Sequence, residues 1–305
     1  MRGGRLAQMR APLGDLLTAM ITPFAGDGSV NLDAARRVAR HLVDTGSDGI
    51  VVCGTTGEGP TVTDHEKLLL FETVVSEVGA THTVIANTGT YDTHHSAALT
   101  RSALATGVDG FLVVTPYYNK PPAAGIVRHF QEIAEAAEGR PLIAYNIPSR
   151  VVLNLDPELL GRLGRIPSVT GVKQAMPDLE QARRIVAETG LVLYAGDNEL
   201  LMPMLELGAA GGICVASHVA GGEFRRMIDL AHAGDIEGAR AVDAGLQDLF
   251  RALAVTTNPI PIKAAMNLMG FDAGGVRLPL VEADEAETRV VAAALESAGL
   301  LPVSA

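Results

Sequence analysis

The sequence predicts an α/β chain of the (β/α)8, or TIM-barrel, class, followed by a C-terminal helical appendage. Three observations predict it. Eight short apolar runs recur along the chain, and amphipathic stretches separate them. The runs are mostly continuous and aliphatic, not alternating, as parallel strands buried on both faces require. Strand-like runs then stop at Gly234.

Taken in order, the apolar runs fall at 16–20, 49–53, 83–87, 110–115, 141–146, 169–174, 191–195 and 212–216. Helical patterns occupy the gaps, for example 32–45, 64–78, 94–106 and 124–137. Asp64 is a candidate N-cap, because Thr63-Asp64 precedes Glu66 and an apolar stretch. A doubly wound sheet is the alternative, with fewer strands and a Gly-rich phosphate turn after the first. Here the first run passes into Ile21-Thr22-Pro23-Phe24-Ala25-Gly26-Asp27-Gly28, which is a turn without that fingerprint. Gly208-Ala209-Ala210-Gly211-Gly212 is a tight entry to the eighth run and lacks the lysine of a phosphate loop. Beyond Gly234, residues 235–253, 262–269 and 285–298 read as helices. The expected organisation is a flexible leader over 1–13, a catalytic barrel over 14–234 and a helical region over 235–305.

Composition narrows the function. The 305 residues are 48% hydrophobic and carry a net charge of -11, enough for a large core and unsuited to an electrostatic nucleic-acid footprint. Arg183-Arg184 and Arg225-Arg226 are isolated pairs, not a basic patch. No run approaches the roughly 20 apolar residues of a membrane span. The first residues carry Arg2, Arg5 and Arg10 without the apolar core of a secretion signal. Two cysteines, Cys53 and Cys214, form no disulfide framework and are expected to be buried thiols. A cytoplasmic location is expected.

A barrel of this class places its active site at the C-terminal ends of the strands. The polar residues there are Thr55, Thr56, Glu58, Tyr117, Tyr118, Tyr145, Lys173, Gly196 and Asp197. Lys173 stands out, one of four lysines and set in the apolar run Ser168-Val169-Thr170-Gly171-Val172-Lys173-Gln174-Ala175. Burial disfavours an ammonium, and a neutral amine in a dry pocket is what Schiff-base chemistry on a carbonyl needs. The plainer alternative is a strand-end lysine reaching solvent or a buried carboxylate. Gly54-Thr55-Thr56-Gly57-Glu58 offers two hydroxyls and accessible backbone N–H groups as an anion cradle, or merely a capped turn. Tyr145-Asn146-Ile147-Pro148-Ser149-Arg150 offers a phenol to relay a proton and a guanidinium fork for a carboxylate. In Pro116-Tyr117-Tyr118-Asn119-Lys120-Pro121-Pro122, either tyrosine is placed to reach a neighbouring mouth, and such loops also serve as interface material.

Together these motifs, with Ala19-Met20-Ile21-Thr22-Pro23-Phe24, Gly171-Val172-Lys173 and Gly196-Asp197, resemble the dihydrodipicolinate synthase/N-acetylneuraminate lyase family of class I, pyruvate-handling aldolases. The resemblance runs from Gly14 to about Leu301. It implies that Lys173 forms the imine with pyruvate and that Tyr145 shuttles protons, with Thr55 and Tyr118 as relay partners. In the family an adjacent subunit contributes the residue matching Tyr118, within a homotetramer built from dimers. Thr55 and Thr56 would hold the pyruvate carboxylate, and Gly196 and Ile213 would line the second-substrate pocket with backbone groups. No cofactor is implied, and no metal. His65, His94 and His95 match no zinc spacing; the latter two are expected to begin a surface helix.

For the electrophile, the chain is most similar to the synthase branch. Arg150 would bind the carboxylate of L-aspartate 4-semialdehyde, and Thr257-Asn258-Pro259-Ile260-Pro261-Ile262-Lys263 looks like a segment typical of that branch. This implies a step of diaminopimelate and lysine biosynthesis. A family aldolase for a 2-keto-3-deoxy sugar acid or a sialate is the alternative within enzymes. A silent barrel that only binds pyruvate-like ligands is the alternative outside them, and it would predict loss of Lys173, Tyr145 or the threonines. Two departures stand out. Asn87 replaces a small residue and would either alter the pocket or cap a turn. The positions matching the family's lysine-feedback residues are Gly59, Pro60, Asp64, Lys67, Tyr91 and His95, which predicts weak or absent feedback.

Overall fold

The computed structural model describes residues 11–301, so most of the expected leader and the last four residues lie outside the described residues. Eight strands pair in parallel, in chain order, and close into a barrel. They are β1 (Leu16–Ala19), β2 (Gly49–Val52), β3 (Thr83–Asn87), β4 (Gly110–Val114), β5 (Leu142–Asn146), β6 (Val169–Gln174), β7 (Val192–Ala195) and β8 (Gly211–Cys214). Each predicted run is present, with ends moved by at most two residues.

Helices fill the crossovers: α1 (Leu32–Asp44), α2 (Asp64–Val78), α3 (Thr93–Leu104), α4 (Ala123–Ala136), α5 (Pro148–Val151), α6 (Pro157–Leu163), α7 (Leu179–Glu188), α8 (Leu201–Glu206) and α9 (Ser217–Ala233). The C-terminal region supplies α10 (Ile236–Leu253), α11 (Ile260–Leu268) and α12 (Glu285–Ser297). Thr63, not Asp64, caps α2. Its hydroxyl accepts from the Glu66 N–H, and the Glu66 carboxylate accepts the Thr63 N–H at 2.8 Å. Both residues are capping types, and the reciprocal bond with Glu66 selects Thr63. Asp64 instead meets His95, Nε2 to Oδ2 at 2.6 Å.

Strand side chains alternate between two cores. Leu17, Ala19, Val51, Ile85, Leu112, Ile143, Tyr145, Val192, Tyr194 and Ile213 fill the barrel interior, and Leu13 packs with them at the N-terminal end. Leu16, Val52, Phe111, Val113, Ala144, Val172 and Leu193 face the helices. The period of two therefore turns Tyr145 inward on β5, and the pairing of Tyr145 with Lys173 sets the lysine beside it. Immediately after each comes a buried amide facing outward. Asn146 Nδ2 donates to Gln174 Oε1 at 2.9 Å and to Asn154 Oδ1 at 2.8 Å, and Asn154 Nδ2 donates to Gln181 Oε1 at 2.8 Å. This ladder joins β5 to β6 directly behind the Tyr145 and Lys173 side chains.

Candidate active site

Lys173 is 4% exposed, near the C-terminal end of β6. Its Nζ lies 4.2 Å from the centroid of the Tyr145 ring. The sequence set Lys173 apart as the one lysine in an apolar run, yet Lys67 and Lys263 are also buried. What separates them is partnership. Lys263 Nζ lies 2.7 Å from Glu58 Oε1, and Lys67 Nζ lies 3.5 Å from Asp64 Oδ1. Among the described residues no carboxylate lies within ion-pairing distance of Lys173. It is held instead against an aromatic face, inside a barrel whose lower levels are apolar.

Lys173 opens into a cavity of about 340 Å³. Thr55, Thr56, Tyr145, Arg150, Gly196 and Asp197 line it, as the sequence predicted. Thr55, Tyr145, Ile147 and Arg150 also line a second cavity, of about 590 Å³, which extends past Asn87 to Lys67, Tyr91, His95 and Tyr117. Arg150 is exposed at the rim common to both. Gly196 sits where added bulk would strike the backbone of Gln174 and Ala175, so no side chain separates it from the cavity. Asn87 lines the second cavity and ties the end of β3 to the end of β2: its Nδ2 donates to the Cys53 carbonyl at 3.0 Å.

Three predicted residues stand elsewhere. Glu58 lines neither cavity and turns to Lys263. Ile213 is fully buried in the barrel interior and does not line the cavity that holds Lys173. Tyr118 is 91% exposed, has a φ of 71° and lines neither cavity of its own chain. Its neighbour Tyr117 is the one that turns in, packing edge-on against Tyr91 with ring centroids 5.2 Å apart. Burial raises the Tyr117 phenol above its ordinary range, and Tyr91 adds to that.

Residues of the C-terminal region complete the wall, and no chemistry was assigned to them from the sequence. Phe250 and Leu253 of α10, with Thr256, Thr257 and Asn258 after it, line the Lys173 cavity. Asn258 Nδ2 donates to Thr56 Oγ1 at 3.0 Å, and the Asn258 carbonyl accepts from Arg150 at 3.3 Å. A second tie lies below. The Glu58 carboxylate, at the end of the threonine loop, pairs with Lys263 of α11 and accepts the Arg277 N–H at 2.9 Å. Lys263 also donates to the Gly275 carbonyl at 2.6 Å and sits over the Phe24 ring. Burial presses the Lys263 pKa down, while the Glu58 charge opposes that shift. Arg277 fastens the outside through Glu66, whose carboxyl is held down at about 2, chiefly by hydrogen bonding to the guanidinium.

The two thiols stand near the site without entering it. Cys53 and Cys214 are buried and unpaired, and desolvation pushes each up to about 12. At neutral pH both are inert thiols, not nucleophiles.

Comparison with known proteins agrees with this geometry. Residues 12–298 match the model of the dihydrodipicolinate synthetase family. A 4-hydroxy-tetrahydrodipicolinate synthase of Moorella thermoacetica is 48% identical over 290 residues, spanning 94% of this chain and 99% of the relative. A protein of the same name from a Cyanothece species is 44% identical over 94% of this chain and 99% of its own length. Among solved structures, the DHDPS of Cyanidioschyzon merolae with lysine bound superposes with a TM-score of 0.93 at 41% identity, covering 95% of this chain and 99% of that one. With its closed eight-stranded barrel and the lysine of its sixth strand, the chain belongs to the dihydrodipicolinate synthetase family.

Proposed function

We propose that this chain performs the 4-hydroxy-tetrahydrodipicolinate synthase reaction, joining pyruvate to L-aspartate 4-semialdehyde. The observation that carries the reading is the unpaired, buried Lys173 beside Tyr145, in a cavity that also presents Thr55, Thr56 and Arg150. The Lys173 amine attacks the ketone carbon of pyruvate, and loss of one water leaves an imine. Thr55 and Thr56 hold the carboxylate next to that carbon. Tyr145 is placed to carry the protons that leave and return as the carbinolamine collapses. Loss of a methyl proton gives an enamine, whose carbon attacks the aldehyde of the second substrate. That substrate's own amine then adds to the imine carbon and displaces Lys173, closing the ring and freeing the enzyme. One water is released in the whole sequence. Arg150, at the rim, is the group for the second substrate's carboxylate.

The exposure of Tyr118 supports a further part of the reading, that it serves the site of a second copy within a homotetramer of two dimers. Full activity in a monomer would refute it, and sedimentation of the active enzyme checks it. Two buried, unpaired thiols support a cytoplasmic setting, and no helix among the described residues is long and apolar enough to cross a membrane.

Borohydride trapping tests the chemistry. Incubation with pyruvate and sodium borohydride should fix a reduced pyruvyl group on Lys173, located by peptide mass, and Lys173→Ala should abolish it. With both substrates and a coupled dihydrodipicolinate reductase, NADPH oxidation should follow. Trapping without turnover would leave the imine in place and transfer the second substrate to a sugar-acid aldehyde.

A further inference from the structure

Thr56 is 2% exposed and lines the Lys173 cavity, yet its hydroxyl oxygen is already engaged. Asn258 Nδ2 donates to it at 3.0 Å. A hydroxyl has one proton to give and two lone pairs to accept with. An oxygen that accepts from Asn258 keeps its proton for another partner, and a carboxylate at neutral pH is acceptor only. The donor side of Asn258 thus fixes the polarity of Thr56. Were the contact reversed, Thr56 would spend its proton on Asn258 and turn lone pairs toward an incoming anion.

The segment that carries Asn258 is anchored beside the threonine loop. The Asn258 main-chain carbonyl accepts from the exposed Arg150 at 3.3 Å, and Thr257 Oγ1 lies 3.4 Å from the same guanidinium. Five residues on, Lys263 pairs with Glu58, two residues beyond Thr56 in the same loop. Residues 257–263 and 54–58 are therefore stitched together twice, once at each end.

We propose that Asn258 is a positioning residue for the pyruvate carboxylate, acting through the Thr56 hydroxyl. This rests on the reading of Lys173 as the pyruvate amine. The loss of a hydrogen bond to a charged group corresponds to about a 10- to 100-fold loss of affinity. The Asn258→Asp substitution keeps the shape, accepts the Thr56 proton and adds a like charge. It should raise the pyruvate concentration for half-maximal borohydride trapping by that much or more. Asn258→Ala should raise it less. The defect of Asn258→Asp, taken relative to Asn258→Ala, should shrink as pH falls and the new carboxyl takes up a proton; a merely structural defect would not. In a Thr56→Val background the effect of Asn258→Ala should largely vanish, because the group it acts through is gone.

Trapping in both Asn258 variants at wild-type pyruvate concentrations overturns the proposal, as does an Asn258→Ala defect undiminished in Thr56→Val. Thermal melts of every variant separate loss of fold from loss of binding, and Asn258→Ala carries the thermodynamic cycle if Asn258→Asp does not fold. A wild-type protein that traps no pyruvate would instead sink the reading of Lys173, an outcome distinct from the failure of Asn258.

Discussion

Glu58 and Lys263 form an ion pair, 2.7 Å long, in which the two side chains are 1% and 3% exposed. It joins the loop that carries the threonines to the C-terminal helices, across more than two hundred residues of chain. Removing one partner of such a pair strands a charge where water cannot reach it, at a cost of about 3–5 kcal/mol. Lys263→Met should lose roughly that much stability in urea titration. The double variant Glu58→Gln/Lys263→Met should recover part of it. Equal stability of Lys263→Met and wild type would mean that the pair is not closed in solution.

Arg150 should act on the second substrate and not on the first. It stands exposed at the rim, while Lys173 lies buried within. Arg150→Ala should leave borohydride trapping of pyruvate intact and raise the KM for aspartate semialdehyde by about 10- to 100-fold, the effect of one charged hydrogen bond. If trapping and turnover both survive unchanged, Arg150 has been misassigned.

Two histidines predict how stability depends on pH. Burial holds His129 and His218 neutral, with pKa values down at about 4. The ring of His218 accepts the Ile21 N–H at 3.1 Å, and its other nitrogen contacts the Val215 carbonyl at 2.8 Å. Unfolding restores each to an ordinary value of about 6.5. Between those values the unfolded chain binds more protons, so stability falls as pH drops from about 6.5 to about 4 and is complete above that window. Replacing His129 with Leu should remove about one proton from the slope of unfolding free energy against pH. An unchanged slope would show that His129 is charged in the fold.

Lysine should inhibit weakly or not at all. Lys67 and His95 line the larger cavity and both approach Asp64, so that carboxylate already serves two basic groups. A ligand ammonium would meet the Lys67 charge, and the Asp92 carboxylate on the cavity wall already caps α3 through the His94 and His95 N–H groups. Steady-state rates should be little changed by submillimolar lysine. Inhibition at submillimolar concentrations would refute this.

The barrel was legible because its information is local. Continuous runs such as that around Ile143 and Ala144 read as buried strands, and spacing alone gave their order. Tyr145, Lys173 and the threonines were legible because strand ends in such a barrel converge. The contacts of Asn258 and Lys263 were not. Their partners, Thr56 and Glu58, lie some two hundred residues away in the chain, and nothing in Thr257-Asn258-Pro259 or Ile262-Lys263-Ala264 says what they face. Lys263 in particular sits in a Pro-rich segment, and only long-range pairing makes it a core residue. The inward turn of Tyr117 rather than Tyr118 depends on the positive φ of the latter, which the adjacent Asn119 and Pro121 do not announce.

The packed interior of the barrel has a kinetic consequence. Leu17, Ile85, Leu112, Ile143, Tyr194 and Ile213 block the axis beneath Lys173, so the chamber opens only toward the C-terminal mouth of the barrel. Whatever reacts at Lys173 occupies the dead end, and whatever Arg150 holds sits in the doorway. Traffic must then run in order: pyruvate enters an empty chamber, the aldehyde closes it, and the joined product must clear the doorway before the next pyruvate arrives. An aldehyde that arrives early obstructs its own reaction, which makes excess second substrate a brake on turnover.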